Sequence, residues 1–213
     1  MKLKKSVKKK INFVIITIVI LLVALIGFFA YKRFFANEKT PTTVKVVDKI
    51  DDYGYELETD ATELYKKLYE ELRSLLQQEE FDEKEYASLI SKLLVVDFYN
   101  LDNKISKNDI GGVQFIRNEQ QKNFILKASE TVYKYIEHNV YGNRTQELPI
   151  VSDVETLDIK ETTYKYKDIE EEQAYKVTVN ISYEKALDYP TEVTVVLIHS
   201  KEMPKKLEVI KMY

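Results

Sequence analysis

The 213-residue sequence contains no cysteine and no tryptophan, and it has only five glycines, four prolines and two histidines. Without cysteine the chain can form no disulfide, no zinc–thiolate site and no thiol nucleophile. The two histidines, His138 and His199, lie far apart, and neither an H-E-x-x-H nor a G-x-S-x-G motif occurs. We therefore expect no catalytic residues, no metal ligands, no bound cofactor and no enzymatic activity.

Carboxylates are the one catalytic residue type in abundance, with 35 aspartates and glutamates. Two carboxylates at a suitable distance could hydrolyse a glycosidic bond, but spacing along the sequence does not give that distance. An anchored hydrolase that uses carboxylates therefore stays open as an alternative. The run Glu170–Glu172 is instead typical of a solvated turn.

Charge is distributed unevenly along the chain. Residues 1–33 contain eight lysines or arginines and no acid, whereas the remainder has 24 basic against 35 acidic residues, a net charge of −11. Binding the phosphates of a nucleic acid requires clustered basic residues. We therefore expect no nucleic-acid partner for the acidic part, whose charge favours solubility.

The most distinctive segment lies near the start, where six lysines in residues 1–10 precede an uncharged apolar run over residues 11–31. As a helix this run would extend roughly 30 Å, the thickness of the hydrocarbon core of a bilayer. Lysines beside a span are retained on the cytoplasmic side. The sequence therefore predicts a cytoplasmic stub over residues 1–10, a transmembrane helix over 11–31 that contacts the lipid bilayer, a tether over 32–43 and an exterior domain over 44–213.

A cleaved signal peptide is the competing interpretation, because it also has a basic start and an apolar centre. That centre is usually shorter, and it ends in small residues at the cleavage site. Ala30 could occupy the last position, but Phe28 stands where the small residue two places earlier is required. We therefore expect a single-pass protein of the cell membrane with a cytoplasmic amino terminus.

Turn and cap signals divide the exterior domain into elements. A turn over Asp51–Gly54 between strand-like runs at 44–50 and 53–58 predicts a hairpin. Two helices follow, predicted to begin at Asp60 and Asp82, each with a glutamate three residues later. Apolar residues at three- and four-residue spacing mark their inner faces: Tyr65, Leu68, Tyr69, Leu72, Leu75 and Leu76 in the first, and Tyr86, Leu89, Ile90, Leu93 and Leu94 in the second.

A third helix is predicted from about residue 119 to 139, with Asn118 and Gln121 in cap positions and Gly142 as the stop. We expect His138, near its end, to interact with the carbonyl groups of its last turn. The predicted inner face consists of Phe124, Ile125, Ala128, Val132, Tyr135 and Ile136.

From Val151 the apolar period changes from helical to alternating. Strand-like runs at 154–166, 175–183, 192–199 and 206–212 with short connections predict an antiparallel meander. Helices must cover its apolar face, since neither layer stays buried alone. The predicted fold class is α+β, with an N-terminal transmembrane helix followed by three helices packed on one face of a curved antiparallel four-stranded sheet.

This order of elements resembles single-pass extracytoplasmic proteins of low-GC Gram-positive bacteria with a nuclear-transport-factor-like or cystatin-like cone domain. The layout is also similar to that of the scaffold subunits of type IV secretion and conjugation channels. The resemblance covers residues 60–213 as topology, and no motif carries site residues over to this chain. It implies a cone-shaped domain, often with an apolar pocket between sheet and helices, and a role in an envelope complex.

The segment Phe98–Gly112 combines hydrogen-bonding side chains with paired glycines between two helices. A calcium-binding EF-hand loop starting at Asp102 would need acceptors at the third and fifth positions and a glycine at the sixth, where Lys104, Ser106 and Lys107 stand. We interpret the segment as a structured connection in which Asn and Asp side chains bond to nearby backbone.

These observations favour a membrane-anchored protein whose exterior domain binds or scaffolds another envelope protein without chemistry of its own. A module that binds a small ligand or a cell-envelope fragment is the first alternative, and the anchored hydrolase is the second. Some of the sixteen tyrosines, including Tyr164, Tyr166, Tyr189 and Tyr213, could line a partner surface. Positions at the edge of the core explain most of them more simply.

Overall fold

The computed structural model describes residues 45–166 and 169–213, together with Ile15, residues 17–19 and residues 21–23. The chain divides into two compact units, residues 1–42 and 43–213. In the first unit the described residues are helical and their side chains are exposed. Most of the predicted span and all of the predicted stub lie outside the described residues, as does the tether. Among the residues that are described, none belongs to a helix with both the length and the apolar character needed to cross a bilayer.

The second unit has a mixed α+β fold, as the sequence predicts. Four strands form an antiparallel sheet in the order β3-β4-β5-β6, which confirms the meander, and a two-stranded hairpin precedes the helices. The elements are β1 (Val46–Ile50), β2 (Tyr55–Glu58), α1 (Glu63–Leu76), α2 (Glu83–Tyr99), a 3₁₀ helix (Val113–Phe115), α3 (Asn118–Glu130), β3 (Val151–Tyr166), β4 (Ile169–Tyr183), β5 (Glu192–His199) and β6 (Leu207–Met212).

The first two helices form where the sequence places them, with one correction at a cap. Asp82 caps α2 by accepting from the backbone N–H of Lys84. The rings of Phe81 and Tyr86 pack edge to face with centroids 5.8 Å apart and form a hydrophobic staple at the start of the helix. The cap of α1 is Thr62, not Asp60, because the Thr62 hydroxyl accepts from Tyr65 N.

The third helix is much shorter than predicted, since α3 ends at Glu130. The cause is Tyr133, whose hydroxyl donates to the carbonyl of Phe98 at 2.7 Å in the buried interior. The chain has left helical geometry at Thr131 before it places this side chain against the end of α2. Tyr135, predicted to face inward, is therefore 76% exposed.

The sheet buries one face against α2, which contacts β3, β4 and β5. The alternation predicted for β4 is confirmed, because its inward residues are buried: Tyr175, Val177, Val179 and Ile181. The opposite face carries a second, smaller apolar cluster of Ala174, Val196, Ile198 and Ile210.

The predicted turn at Glu170–Glu172 is wrong, because the backbone ladder between β3 and β4 continues through these residues to the pair Tyr166 and Ile169.

Hydrogen bonds among buried tyrosines join the hairpin, α2 and β6. The hydroxyls of Tyr55 and Tyr86 lie 2.7 Å apart. The Tyr55 hydroxyl donates to the carbonyl of Leu207 at 2.9 Å, and the N–H of Leu207 donates to the Tyr86 hydroxyl at 3.0 Å. Burial raises the pKa of both tyrosines, so both hydroxyls stay neutral and keep their hydrogen bonds through the physiological pH range.

Replacing Tyr86 by phenylalanine removes the acceptor of the Leu207 N–H and leaves that buried donor unpaired. We expect Tyr86→Phe to lower the free energy of unfolding of the unit formed by residues 43–213 by about 1–3 kcal/mol, measured by urea unfolding. Tyr183→Phe is the control, because it loses one hydrogen bond, to the carbonyl of Pro190 at the surface, and should cost less than about 1 kcal/mol. Equal losses of unfolding free energy in the two variants would contradict the conclusion that the Tyr86 hydroxyl is needed as the acceptor of the Leu207 N–H.

Candidate functional site

The segment between α2 and the 3₁₀ helix is fixed to the last turn of α2 by one carboxylate. Asp97 accepts from Lys104 Nζ through one oxygen at 2.6 Å and from the backbone N–H of Gly112 through the other, also at 2.6 Å. The Lys104 side chain is only 6% exposed. A buried ammonium requires a charged partner nearby, so the path of this segment depends on Asp97.

The paired glycines allow the segment to approach α2 closely. A Cβ atom on Gly111 would lie 2.0 Å from the carbonyl oxygen of Asp97. Gly112 has a φ of +76°, in the left-handed region that favours glycine. The N–H of Gly111 donates to the buried hydroxyl of Tyr133 at 3.1 Å, so the same tyrosine that shortens α3 also holds this turn.

Gln114 joins this segment to the hairpin and to α1. Its side-chain oxygen accepts from the N–H of Glu56 at 2.8 Å, and its amide nitrogen donates to the carbonyl of Glu56 at 3.0 Å and to the hydroxyl of Tyr65 at 2.9 Å. Asn103 donates to the carbonyl of Asp60 at 3.3 Å. The end of α2, the following segment and the β2–α1 connection therefore enclose a common space.

That space is a pocket of about 130 Å³, which we call the Lys104 pocket. Its lining contains five carboxylates and one ammonium, that of Lys104, for a formal charge of −4; the carboxylates are Glu56, Glu58, Asp60, Asp97 and Asp109. Among the described residues, the side-chain oxygen of Asn103 is buried and has no hydrogen-bond partner. The pocket therefore offers an excess of acceptors.

The pKa values of two charged lining residues are perturbed. Burial alone would lower the pKa of Lys104, but the charge and hydrogen bond of Asp97, with smaller contributions from Asp109 and Asp60, raise it. Lys104 is therefore protonated at neutral pH. Burial raises the pKa of Glu58, and repulsion from Asp60 and Asp97 raises it further.

This arrangement suits a ligand that donates N–H bonds and carries positive charge. Carboxylates and an amide oxygen accept hydrogen bonds, and ammonium or guanidinium groups supply both donors and charge. Within the part of the chain that the structure describes, no three His, Asp or Glu side chains converge as ligands of a metal ion.

The segment Phe98–Gly112, singled out in the sequence, forms a wall of this pocket. It has the predicted side-chain-to-backbone bonds, since Asp109 accepts from the N–H of Ile105 at 2.8 Å. The sequence did not identify Lys104 as a buried charge. The one indication in the sequence that Lys104 is buried was its place between two apolar residues, Leu101 and Ile105. Asp97 gave no such signal, because a carboxylate near a helix end is ordinarily solvated.

The histidines lie outside the Lys104 pocket. His138 is exposed and follows the end of α3 by eight residues, so the predicted interaction with the last carbonyls of its helix is wrong. His199 ends β5, and its Nδ1 lies 2.8 Å from the carbonyl of Pro204, which it contacts as a donor. Its Nε2 lies 3.5 Å from a carboxylate oxygen of Glu83.

Replacing Asp97 by asparagine keeps an acceptor for Gly112 but leaves the buried Lys104 ammonium without its counter-charge. We expect Asp97→Asn to lower the free energy of unfolding by roughly 3 kcal/mol at pH 7, measured by urea unfolding. The double variant Asp97→Asn/Lys104→Met removes the buried charge as well and should be more stable than Asp97→Asn alone. A double variant no more stable than the single one would contradict this account.

Comparison with protein-family models, curated proteins and solved structures finds no match to this chain. The resemblance to cone-domain proteins stays a prediction.

Proposed function

We propose that this chain is a single-pass membrane protein whose exterior domain, residues 44–213, binds another envelope protein and performs no catalysis. In this proposal a lysine or arginine side chain of the partner enters the Lys104 pocket. The observation that carries it is the pocket lining, in which five carboxylates face the single ammonium of Lys104. An ammonium or guanidinium group would donate hydrogen bonds to these carboxylates and reduce the repulsion among them.

The size of the pocket supports a side-chain group over a larger ligand. Pockets for drug-sized molecules have volumes of about 300–1,000 Å³, well above the roughly 130 Å³ found here. A cavity of about 150 Å³ holds a ligand the size of benzene. The end of a lysine or arginine side chain has a comparable number of heavy atoms.

The membrane anchor in this proposal rests on the basic residues 1–10 and the apolar run 11–31. Apolar side chains among the described residues of this run are more than half exposed, as in Leu21 and Val23, and a bilayer would cover them. We also propose that the three helices form one layer over a curved sheet, as in the cone domains that the element order resembles.

Cation binding can be measured with N-acetyl-lysine methylamide and N-acetyl-arginine methylamide, using chemical-shift changes of the isotope-labelled chain. We expect both probes to shift resonances of the pocket segment, while the neutral norleucine and citrulline analogues do not. Glu58→Gln should weaken binding several-fold, whereas Glu184→Gln, at an exposed site outside the pocket, should leave it unchanged. Equal binding of the neutral analogues would contradict the proposal.

The same titration should depend on pH in a defined direction. A bound cation favours the ionised form of Glu58, whose pKa is raised in the free protein. Affinity should therefore be full above that pKa and fall as pH decreases through it. In Glu58→Gln this pH dependence should be reduced. An unchanged pH profile in that variant would show that a group other than Glu58 causes the dependence.

A free small ammonium compound is the alternative ligand with the same chemistry. If such a compound is the ligand, a free amine such as putrescine should bind more tightly than the capped lysine and arginine probes. Binding of the capped lysine and arginine probes at equal or higher affinity would favour the protein partner.

A carboxylate hydrolase is the second candidate, favoured by one observation. Glu58 has a raised pKa beside several other carboxylates, the pattern of an acid–base pair. The pocket is small for two sugar rings, which favours binding over hydrolysis. Release of reducing sugar from cell-wall glycan by the purified chain, lost in Glu58→Gln, would instead support the enzyme.

The absence of cysteine allows a direct test of membrane topology. We expect Lys201→Cys to react with a membrane-impermeant maleimide in intact cells, and Ser6→Cys to react only after permeabilisation. The unsubstituted chain is the control, because it has no thiol to label. The reverse labelling pattern, or recovery of the chain from the medium, would contradict the predicted anchor.

A further inference from the structure

A groove of about 550 Å³, separate from the Lys104 pocket, lies between α3 and strand β6. Its size is within the range of ligand-binding sites. Much of its lining is apolar, and includes Phe98, Ile116, Phe124, Val132, Val209 and Ile210. We call it the β6 groove.

One side of the groove is the edge of the four-stranded sheet. Strand β6 pairs with β5 on its inner side. On its outer side, the described residues contribute a single parallel bridge, between Ile116 and Val209, in which the N–H of Arg117 donates to the carbonyl of Val209 at 3.1 Å. From Ile210 to Met212 no described strand covers this edge.

Charge distinguishes the groove from the rest of the exterior domain. Its lining includes two lysines, Lys127 on α3 and Lys211 on β6, against one acid, Glu119. The chain after residue 33 has a net charge of −11, so a locally positive groove departs from its surroundings. Both lysines are exposed and available to a carboxylate.

We propose that an extended, acidic segment of a partner protein adds a strand to β6 in this groove. A strand supplies the backbone donors and acceptors that an open sheet edge can pair with, whereas an acyl chain or a small apolar molecule supplies neither. Alternate side chains of the added strand contact the apolar lining, and carboxylates on the other positions pair with Lys127 and Lys211.

The geometry also limits the length of the added segment. At about 3.3 Å per residue, Val209–Met212 accommodates roughly four to five residues. The bulge at Ile210, which is skipped where β6 pairs with β5, and the exposed Lys211 blunt the edge against unspecific pairing. Pairing is thereby restricted to a short acidic segment. This inference does not rest on the Lys104 pocket, which binds the opposite charge.

The test uses a fluorescent five-residue peptide of alternating valine and glutamate, titrated against the full-length chain in lipid nanodiscs and measured by anisotropy. We expect saturable binding. A peptide with lysine in place of glutamate should bind at least tenfold more weakly. Two further peptides are N-methylated at the odd-numbered or at the even-numbered amides, so each keeps the side chains but loses the backbone donors of one strand edge. The peptide methylated on the edge that faces β6 should bind at least tenfold more weakly.

Charge reversal on the protein provides matched variants. Lys127→Glu and Lys211→Glu should each weaken binding several-fold, while Lys122→Glu, on the same helix but outside the groove lining, should not. Absence of binding, unchanged affinity of both N-methylated peptides, or equal effects of Lys122→Glu and Lys127→Glu would each overturn the proposal. The capped lysine probe, titrated on the same samples, reports the Lys104 pocket separately, so failure of one site is distinguishable from failure of the other.

Discussion

The region between α2 and α3 depends on one ion pair, in which a carboxylate supplies the counter-charge of a buried ammonium. Lys104 is almost fully buried, and Asp97 provides both its counter-charge and the acceptor for Gly112. Because a buried charge without a partner is strongly unfavourable, the segment after α2 must fold back onto the helix that carries Asp97. The close approach at Gly111 and the left-handed turn at Gly112 are consequences of that path. The pocket is the space that remains between this segment and the hairpin.

Helix α2 is tethered to the rest of the unit near both of its ends. Near its start, Tyr86 joins it through hydrogen bonds to the hairpin and to β6. Near its end, Asp97 joins it to the segment that forms the pocket. Between these points its apolar residues pack against the sheet and α1. Hydrophobic burial is non-directional, so by itself it would fix the position of the helix less specifically. The hydrogen bonds of Tyr86 and Asp97 fix its orientation and its register against the neighbouring elements.

The strands and the first two helices could be predicted from the sequence because their signals are local. Alternation in β4, the Asp82 cap and the Phe81–Tyr86 contact each involve residues near one another in the chain. The end of α3 could not be predicted in this way. Val132, Tyr135 and Ile136 continue the helical spacing, but the hydroxyl of Tyr133, which lies beside that predicted face, bonds to Phe98, 35 residues earlier, and this distant contact overrides the local pattern. The pocket was missed for the same reason, since Asp97, Gln114 and Glu56 meet only in the folded chain.

The two proposed surfaces share the last turn of α2, although they suit ligands of opposite charge. Asp97 lines the acidic pocket, and the next residue, Phe98, lines the β6 groove. Successive residues of a helix point about 100° apart, so adjacent positions can face different surfaces. Tyr133 connects the two, because its hydroxyl accepts from Gly111 in the pocket wall and donates to the carbonyl of Phe98. A substitution that displaces the end of α2 therefore alters both surfaces, whereas substitutions at the pocket rim or at the groove lysines act on one surface alone.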